Sequence, residues 1–185
     1  MSRKQWPFER AERRRHILAR ANAAEALLQM PRDATRTVNV DVLTEVVIAR
    51  PRDVVSAFAA DVDRAPVWYE NIKTVEWRTP RPLAVGSRIA FVAQFLGRRL
   101  EYTYEVVEWV PNERFVMRTA DGPFPMETTY EWEDADGGAT RMTLRNRGTP
   151  KGFSLWLAPV MRMAVRRANR KDLAALKAVL ESSMR

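Results

Sequence analysis

The chain has 185 residues, an apolar share of 46% and a formal net charge of +8 at pH 7. This length suits one domain with a modest extension and is short for two full-sized domains. The sequence has no cysteine, which excludes disulfides and thiolate chemistry, and its single histidine, His16, argues against a histidine zinc site or a Ser-His-Asp triad. We therefore expect neither a metal centre nor a cofactor.

The positive charge lies at the two ends of the chain. Basic and acidic residues number nine and four over residues 1–36, fourteen and seventeen over residues 37–149, and eight and two over residues 150–185. A sheet that reads nucleic-acid bases is expected to expose basic and aromatic residues, whereas the middle of this chain places glutamates there. Nucleic acid is therefore not the partner that the sequence predicts.

No segment predicts export or a membrane span. The N-terminus is basic, but no apolar core and small-residue cleavage site follow it. The longest apolar run, residues 155–161, is far shorter than the roughly 20 residues that span a bilayer. We therefore expect a cytoplasmic protein.

The first predicted element is a helix over residues 8–29. Apolar residues recur there at spacings of three and four, and arginines lie around them. Such a basic amphipathic helix is suited to an anionic membrane surface, but an accessory helix or a floppy extension is the interpretation we prefer. We assign residues 1–34 to a basic helical extension and residues 35–185 to the main domain.

Residues 38–49 are rich in β-branched side chains and predict the first strand. Pro51 ends this strand and is suited to the first position of the helix that follows. Residues 61–71 predict a second short helix, interrupted near Pro66 and carrying the adjacent aromatic residues Trp68 and Tyr69.

Between residues 89 and 145 apolar and polar side chains alternate with a period of two, and turn sequences separate the runs. This pattern predicts an antiparallel sheet with one apolar face. The last segment, residues 153–184, has helical apolar spacing and predicts the cover of that face, with Pro159 marking either a kink or the first turn.

This order of elements resembles the helix-grip proteins of the START/SRPBCC superfamily, most closely the polyketide cyclase/dehydrase and lipid-transport group. The segments that carry the resemblance are IARPRDVVSAF (residues 48–58), Asp61 with Trp68, LAVGS (residues 83–87), VEWVPN (residues 107–112) and DGGATR (residues 136–141). The resemblance covers residues 38–182. It implies an α+β fold, in the order β-α-α-β-β-β-β-β-β-α, with a curved seven-stranded antiparallel sheet wrapped around a long C-terminal helix and an internal cavity.

The apolar face of the predicted sheet also carries hydroxyl groups. Burying a hydroxyl without a hydrogen bond costs about 1 to 3 kcal/mol, so these groups indicate either a cavity with water or a ligand's polar end, or tyrosines that reach the sheet rim. A cavity of roughly 300 Å³ or more favours ligand binding. The ligand-binding candidates are Trp68, Phe91, Tyr102, Tyr104, Met117, Met126, Tyr130, Trp156, Met161 and Val165.

Asp172 falls within the apolar arc of the last helix, where a carboxylate needs an explanation. An ion pair with an arginine of the sheet is the interpretation we prefer. A polar ligand group and a base with a raised pKa are the alternatives. Together with Tyr104 and Tyr130, Asp172 is a candidate catalytic residue.

Three functions are compatible with these features, and we rank them in this order. The first is the non-enzymatic binding or transport of a small hydrophobic, lipid-like or polyketide-like ligand. The second is a polyketide aromatase/cyclase-like enzyme that uses the same cavity. The third is a module that contacts an anionic membrane surface, with Trp156 near the cavity mouth. The sequence predicts no oligomeric state.

Overall fold

The computed structural model describes residues 40–95, 97–122, 125–149 and 158–182. The chain divides into two units, Met1–Arg36 and Thr37–Arg185, and every described residue belongs to the second. The helix predicted over residues 8–29, the domain boundary at residue 35 and the candidate Trp156 lie outside the described residues. They remain predictions.

Seven strands form one antiparallel sheet in the order β1-β7-β6-β5-β4-β3-β2. In chain order the elements are β1 (Val40–Ile48), α1 (Arg52–Ala60), a 3-10 turn (Val62–Arg64), α2 (Ala65–Trp68), β2 (Ile72–Trp77), β3 (Arg88–Phe95), β4 (Arg98–Val110), β5 (Arg114–Asp121), β6 (Met126–Ala135), a second 3-10 turn (Asp136–Gly138), β7 (Ala139–Gly148) and α3 (Ala158–Ser182). The α+β helix-grip fold expected from the sequence is confirmed.

The prediction at Pro51 differs from the structure, whereas the predicted interruption near Pro66 is found. Pro51 has φ −58° and ψ 149°, so it is the cap residue before α1 and not its first helical residue. Pro66 is the second residue of α2, directly after the 3-10 turn, and at this first-turn position its missing N–H has no helical partner to lose. The preceding 3-10 turn is capped by Asp61, whose side chain accepts a hydrogen bond from the N–H of Asp63 at 3.1 Å.

Irregularities in the strands curve the sheet. The pairing register shifts between Ile72 and Thr74, and twice along β4, between Thr103 and Tyr104 and between Val106 and Glu108. Bulges of this kind bend the bulged strand and increase its twist. The curvature gives the sheet a concave inner face that the last helix covers.

The outer face of the sheet carries ion pairs that run across neighbouring strands. The predicted glutamates are found there, but arginines of adjacent strands neutralise them. These pairs are Arg88–Glu105, Arg114–Glu108, Arg114–Glu131, Arg118–Glu127 and Arg145–Asp41. These pairs are exposed to solvent and contribute only about 0 to 1 kcal/mol each. The side chains buried on the inner face therefore provide most of the stability of the fold.

The two halves of α3 pack differently against the sheet. In the C-terminal half, Leu173, Leu176 and Leu180 are buried and belong to the main hydrophobic core with Trp132 and Leu144. The N-terminal half presents Met161, Val165 and Ala168, which are only half-buried. The helix therefore closes the core tightly at one end and leaves space beneath it at the other.

A candidate ligand-binding cavity

A cavity of about 580 Å³ lies between the concave face of the sheet and the N-terminal half of α3. Side chains from all seven strands, α1, α2 and α3 contribute to its wall. The lining includes Val40, Ala59, Val62, Trp68, Tyr69, Asn71, Ile72, Phe91, Ala93, Leu100, Tyr102, Tyr104, Phe115, Met117, Thr119, Met126, Thr128, Tyr130, Asn146, Met161, Val165, Ala168, Asn169 and Asp172. Most of these side chains are apolar or aromatic, as in small-molecule sites generally.

The structure brings the described candidates together. All nine ligand-binding candidates other than Trp156 line this one cavity, and so does Asp172. Sequence reasoning did not identify Tyr69, Asn146 and Asn169 as site residues. The sequence could have predicted that Asn146 faces the cavity, because it continues the period of two set by Met142 and Leu144 on β7.

Aromatic rings form much of the wall. Phe91 and Tyr102 stack with their ring centroids 5.9 Å apart, and Phe115 and Tyr130 stack at 5.6 Å. The ring of Trp68 lies 4.0 Å from that of Tyr69, measured between centroids. Stacked and edge-to-face pairs are favourable beyond their buried area, so this part of the wall is held rigidly.

A chain of hydrogen bonds runs through the wall from β4 to α3. The Thr128 hydroxyl donates to Asn146 Oδ1 at 2.7 Å, and Asn146 Nδ2 donates to Asn169 Oδ1 at 3.0 Å. The Tyr104 hydroxyl lies 3.3 Å from Thr128 Oγ1 and must be the donor, because the only hydroxyl hydrogen of Thr128 is used on Asn146. The Tyr104 hydroxyl is therefore satisfied inside the domain and not at the sheet rim.

A second polar cluster joins β6 to the loop after α2. The hydroxyls of Tyr69 and Tyr130 are 2.5 Å apart and share one hydrogen bond. Burial, as the largest cause, raises the pKa of the Tyr69, Tyr102 and Tyr130 phenols above the ordinary value. These phenols are therefore neutral at physiological pH and can both donate and accept hydrogen bonds.

Asp172 lies beside this cluster and is 3% exposed. Its Oδ1 accepts a hydrogen bond from the backbone N–H of Glu70 at 3.0 Å. Burial raises the pKa of its carboxyl to about 6, although the Glu70 N–H acts in the opposite direction. The expected ion pair with an arginine of the sheet is not present in the described part of the chain, and the adjacent Lys171 pairs with the Glu70 carboxylate at 3.1 Å.

The outer surface of the N-terminal half of α3 is basic and partly apolar. Val160 and Met163 are 55% and 67% exposed, and Arg162, Arg166 and Arg167 are exposed beside them. Among the described residues, no helix is long and apolar enough to cross a membrane. The expected contact with an anionic membrane rests largely on residues 8–29 and 155–157, outside the described ranges, and stays a prediction.

Comparison with known proteins agrees with this architecture. The sequence profile of the family described as polyketide cyclase / dehydrase and lipid transport matches residues 39–181. No curated protein matches the chain. The profile match spans well over half of the chain and includes all seven strands of the sheet and all but the last residue of α3.

Solved structures share the fold at low sequence identity. A protein from Thermus thermophilus is 20% identical, with a TM-score of 0.67 over 77% of this chain and 98% of that one. The Zhui aromatase/cyclase from Streptomyces sp. R1128 is 18% identical, with a TM-score of 0.68 over 80% and 96% of the two chains. A START superfamily protein from Mycobacterium smegmatis is 14% identical, with a TM-score of 0.67 over 77% and 97%.

At these identities the likeness to solved structures shows the fold alone, because one fold hosts many functions. The profile match adds the family. The curved sheet, the long C-terminal helix and the cavity between them are the features that the sequence resemblance implied. The chain therefore belongs to the family described as polyketide cyclase / dehydrase and lipid transport.

Proposed function

We propose that the protein binds a small hydrophobic, lipid-like or polyketide-like molecule in the cavity under α3, without catalysing a reaction. The observation that carries this proposal is the cavity of about 580 Å³ with its largely apolar and aromatic wall. Enclosing some 300 Å² of apolar ligand surface supplies roughly 7 kcal/mol before ordering costs. Binding of this kind requires no catalytic group.

Ala168 offers a direct test, because it lies on the cavity wall and its side chain is small. Ala168→Phe places an aromatic ring in the space that the ligand would occupy. We expect it to weaken the binding of a neutral fluorescent apolar dye, such as Nile red, at least about tenfold, a loss of about 1.4 kcal/mol. The measurement is a fluorescence titration of purified protein.

Ala174→Phe is the matched control for this substitution. Ala174 lies on the same helix but is exposed and does not line the cavity. Its binding curve should overlay that of the unmodified chain within about twofold. Failure of the unmodified chain to bind any apolar dye contradicts the proposed function, as does equal weakening by the two substitutions.

One arrangement favours an aromatase/cyclase-like enzyme as the second candidate. Tyr130, Tyr69 and Asp172 gather on one side of the cavity, where neutral phenols can polarise a carbonyl and a carboxylate with a pKa of about 6 can accept a proton. Tyr104, the other tyrosine candidate, is instead held by Thr128. Incubation with a linear polyketone separates the two functions, because a binder returns it unchanged and a cyclase converts it.

A further inference from the structure

Asp172 is a carboxyl group in the cavity wall that forms no ion pair among the described residues, and the charge of Lys171 is the smallest of the influences on its pKa. One of its oxygens, Oδ1, is used by the Glu70 N–H, and Oδ2 makes no hydrogen bond within the described ranges. The side chain is almost fully buried. A buried carboxylate without a counter-charge is costly, and a natural sequence retains such a group mainly where it is used.

The groups that line the cavity with Asp172 include phenol oxygens, aromatic rings and two buried N–H donors, Trp68 Nε1 and Asn169 Nδ2, that have no partner among the described residues. Its charge acts on the phenols of Tyr69, Tyr102 and Tyr130, which places these three groups near it on the same side of the cavity. Tyr69 and Tyr130 bond to each other, and the Tyr102 hydroxyl has no hydrogen bond among the described residues. The ring of Trp68 packs against Tyr69 and Tyr130.

Positive charge is absent from this end of the described wall. The ammonium group of Lys171 is turned to the Glu70 carboxylate at 3.1 Å, on an exposed part of the surface. Arg147, at the edge of the cavity, has its guanidinium group 3.8 Å from Asp41 and 3.9 Å from Glu127. An anionic ligand head therefore meets a carboxylate and phenols without a compensating cation, whereas a cation meets a carboxylate and aromatic faces.

If the cavity binds an apolar molecule, as proposed above, we infer that the polar end of that molecule is a hydrogen-bond donor held by Asp172 Oδ2, and that an alkyl or aryl amine is preferred over a carboxylate. An ammonium group donates to Oδ2, neutralises the buried charge and contacts the rings of Trp68 and the tyrosines. An alcohol donates to the same oxygen without adding charge. A carboxylate can do neither.

The pH dependence of binding has a defined sign. The groups near Asp172 that can carry charge are the three phenols, which stay neutral, and the Glu70–Lys171 ion pair, which lies on the exposed surface. Asp172, with a pKa of about 6, is mostly protonated at pH 5 and mostly ionised at pH 7.5. Amine affinity should therefore rise roughly tenfold over this interval, following the ionised fraction.

Three probes with the same alkyl chain test the inference: decylamine, 1-decanol and decanoate, titrated calorimetrically at pH 5 and pH 7.5. At pH 7.5 we expect decylamine to bind at least about tenfold more tightly than decanoate, with 1-decanol between them. Asp172→Asn should abolish this preference, since the amide keeps an oxygen for the Glu70 N–H but carries no charge. Asp121→Asn, at an exposed carboxyl, is the control and should change neither affinity.

The outcomes separate this inference from the proposed function. Equal or tighter binding of decanoate overturns the inference, and so does an amine preference that survives in Asp172→Asn. If only 1-decanol binds, and Asp172→Asn does not change its affinity, the inference about Asp172 is also overturned. The cavity then remains a binding site. An amine affinity of the unmodified chain that is the same at pH 5 and pH 7.5 overturns it without any variant. If neither these probes nor a neutral dye binds, the proposed function itself fails.

Discussion

Leu176→Ala is expected to lower the free energy of unfolding by about 2 to 5 kcal/mol, whereas Met161→Ala on the same helix should cost about 1 kcal/mol or less. Leu176 has no exposed surface and packs in the main core, so its truncation leaves a new void. Met161 borders the existing cavity and therefore makes fewer packing contacts, so its truncation removes less stabilising free energy.

Urea unfolding of both variants measures this difference. The two substitutions remove side chains of similar size from one face of α3, so helix propensity changes little between them. If Met161→Ala lowers the free energy of unfolding as much as Leu176→Ala does, both halves of the helix are packed equally tightly. That result contradicts a cavity under the N-terminal half of the helix.

Asp172→Asn is expected to raise the free energy of unfolding at pH 8 by about 1 to 3 kcal/mol and to change it little at pH 4. Burial raises the pKa of this carboxyl from 3.8 to about 6, so the folded chain holds a proton that the unfolded chain releases between these values. The stability linked to Asp172 is therefore fully present below about pH 4 and is lost as the pH rises through about 6. Asparagine does not titrate, so the variant does not lose this stability as the pH rises.

Chemical unfolding of the two proteins at pH 4 and pH 8 checks this prediction. Asp41 and Glu181, whose carboxyl pKa values are lowered by hydrogen bonds to Arg145 and to the Ala49 N–H respectively, titrate in both proteins and cancel in the difference. If Asp172→Asn is no more stable than the unmodified chain at pH 8, the buried carboxyl carries no stability cost. The argument that Asp172 is retained for a function then has no support.

Much of the cavity wall could be predicted from the sequence. The period of two in the strands indicated which face carries Phe91, Tyr102, Met117 and Tyr130, because alternate residues of a strand point to the same side. The helical apolar spacing of residues 153–184 predicted the helix that covers this face, and the family resemblance added the cavity between the helix and the sheet. Composition alone could not have supplied it.

The polar contacts of the wall could not be predicted in the same way. Thr128 and Asn146 are direct partners across β6 and β7, and their hydrogen bond depends on a pairing register that no single strand's pattern reveals. The ion pair expected for Asp172 fails for a related reason. Arg145 and Arg147 flank Asn146 on β7 and bond to acidic groups of the outer face, away from the helix.

Xenon binding tests the central claim most directly, since xenon enters apolar cavities that are large enough to hold it. A crystal of the chain pressurised with xenon should show the gas between the Met161–Ala168 stretch of α3 and the rings of Phe91 and Tyr102 on the sheet. Side chains packed across that space, with no xenon between them, would contradict the account.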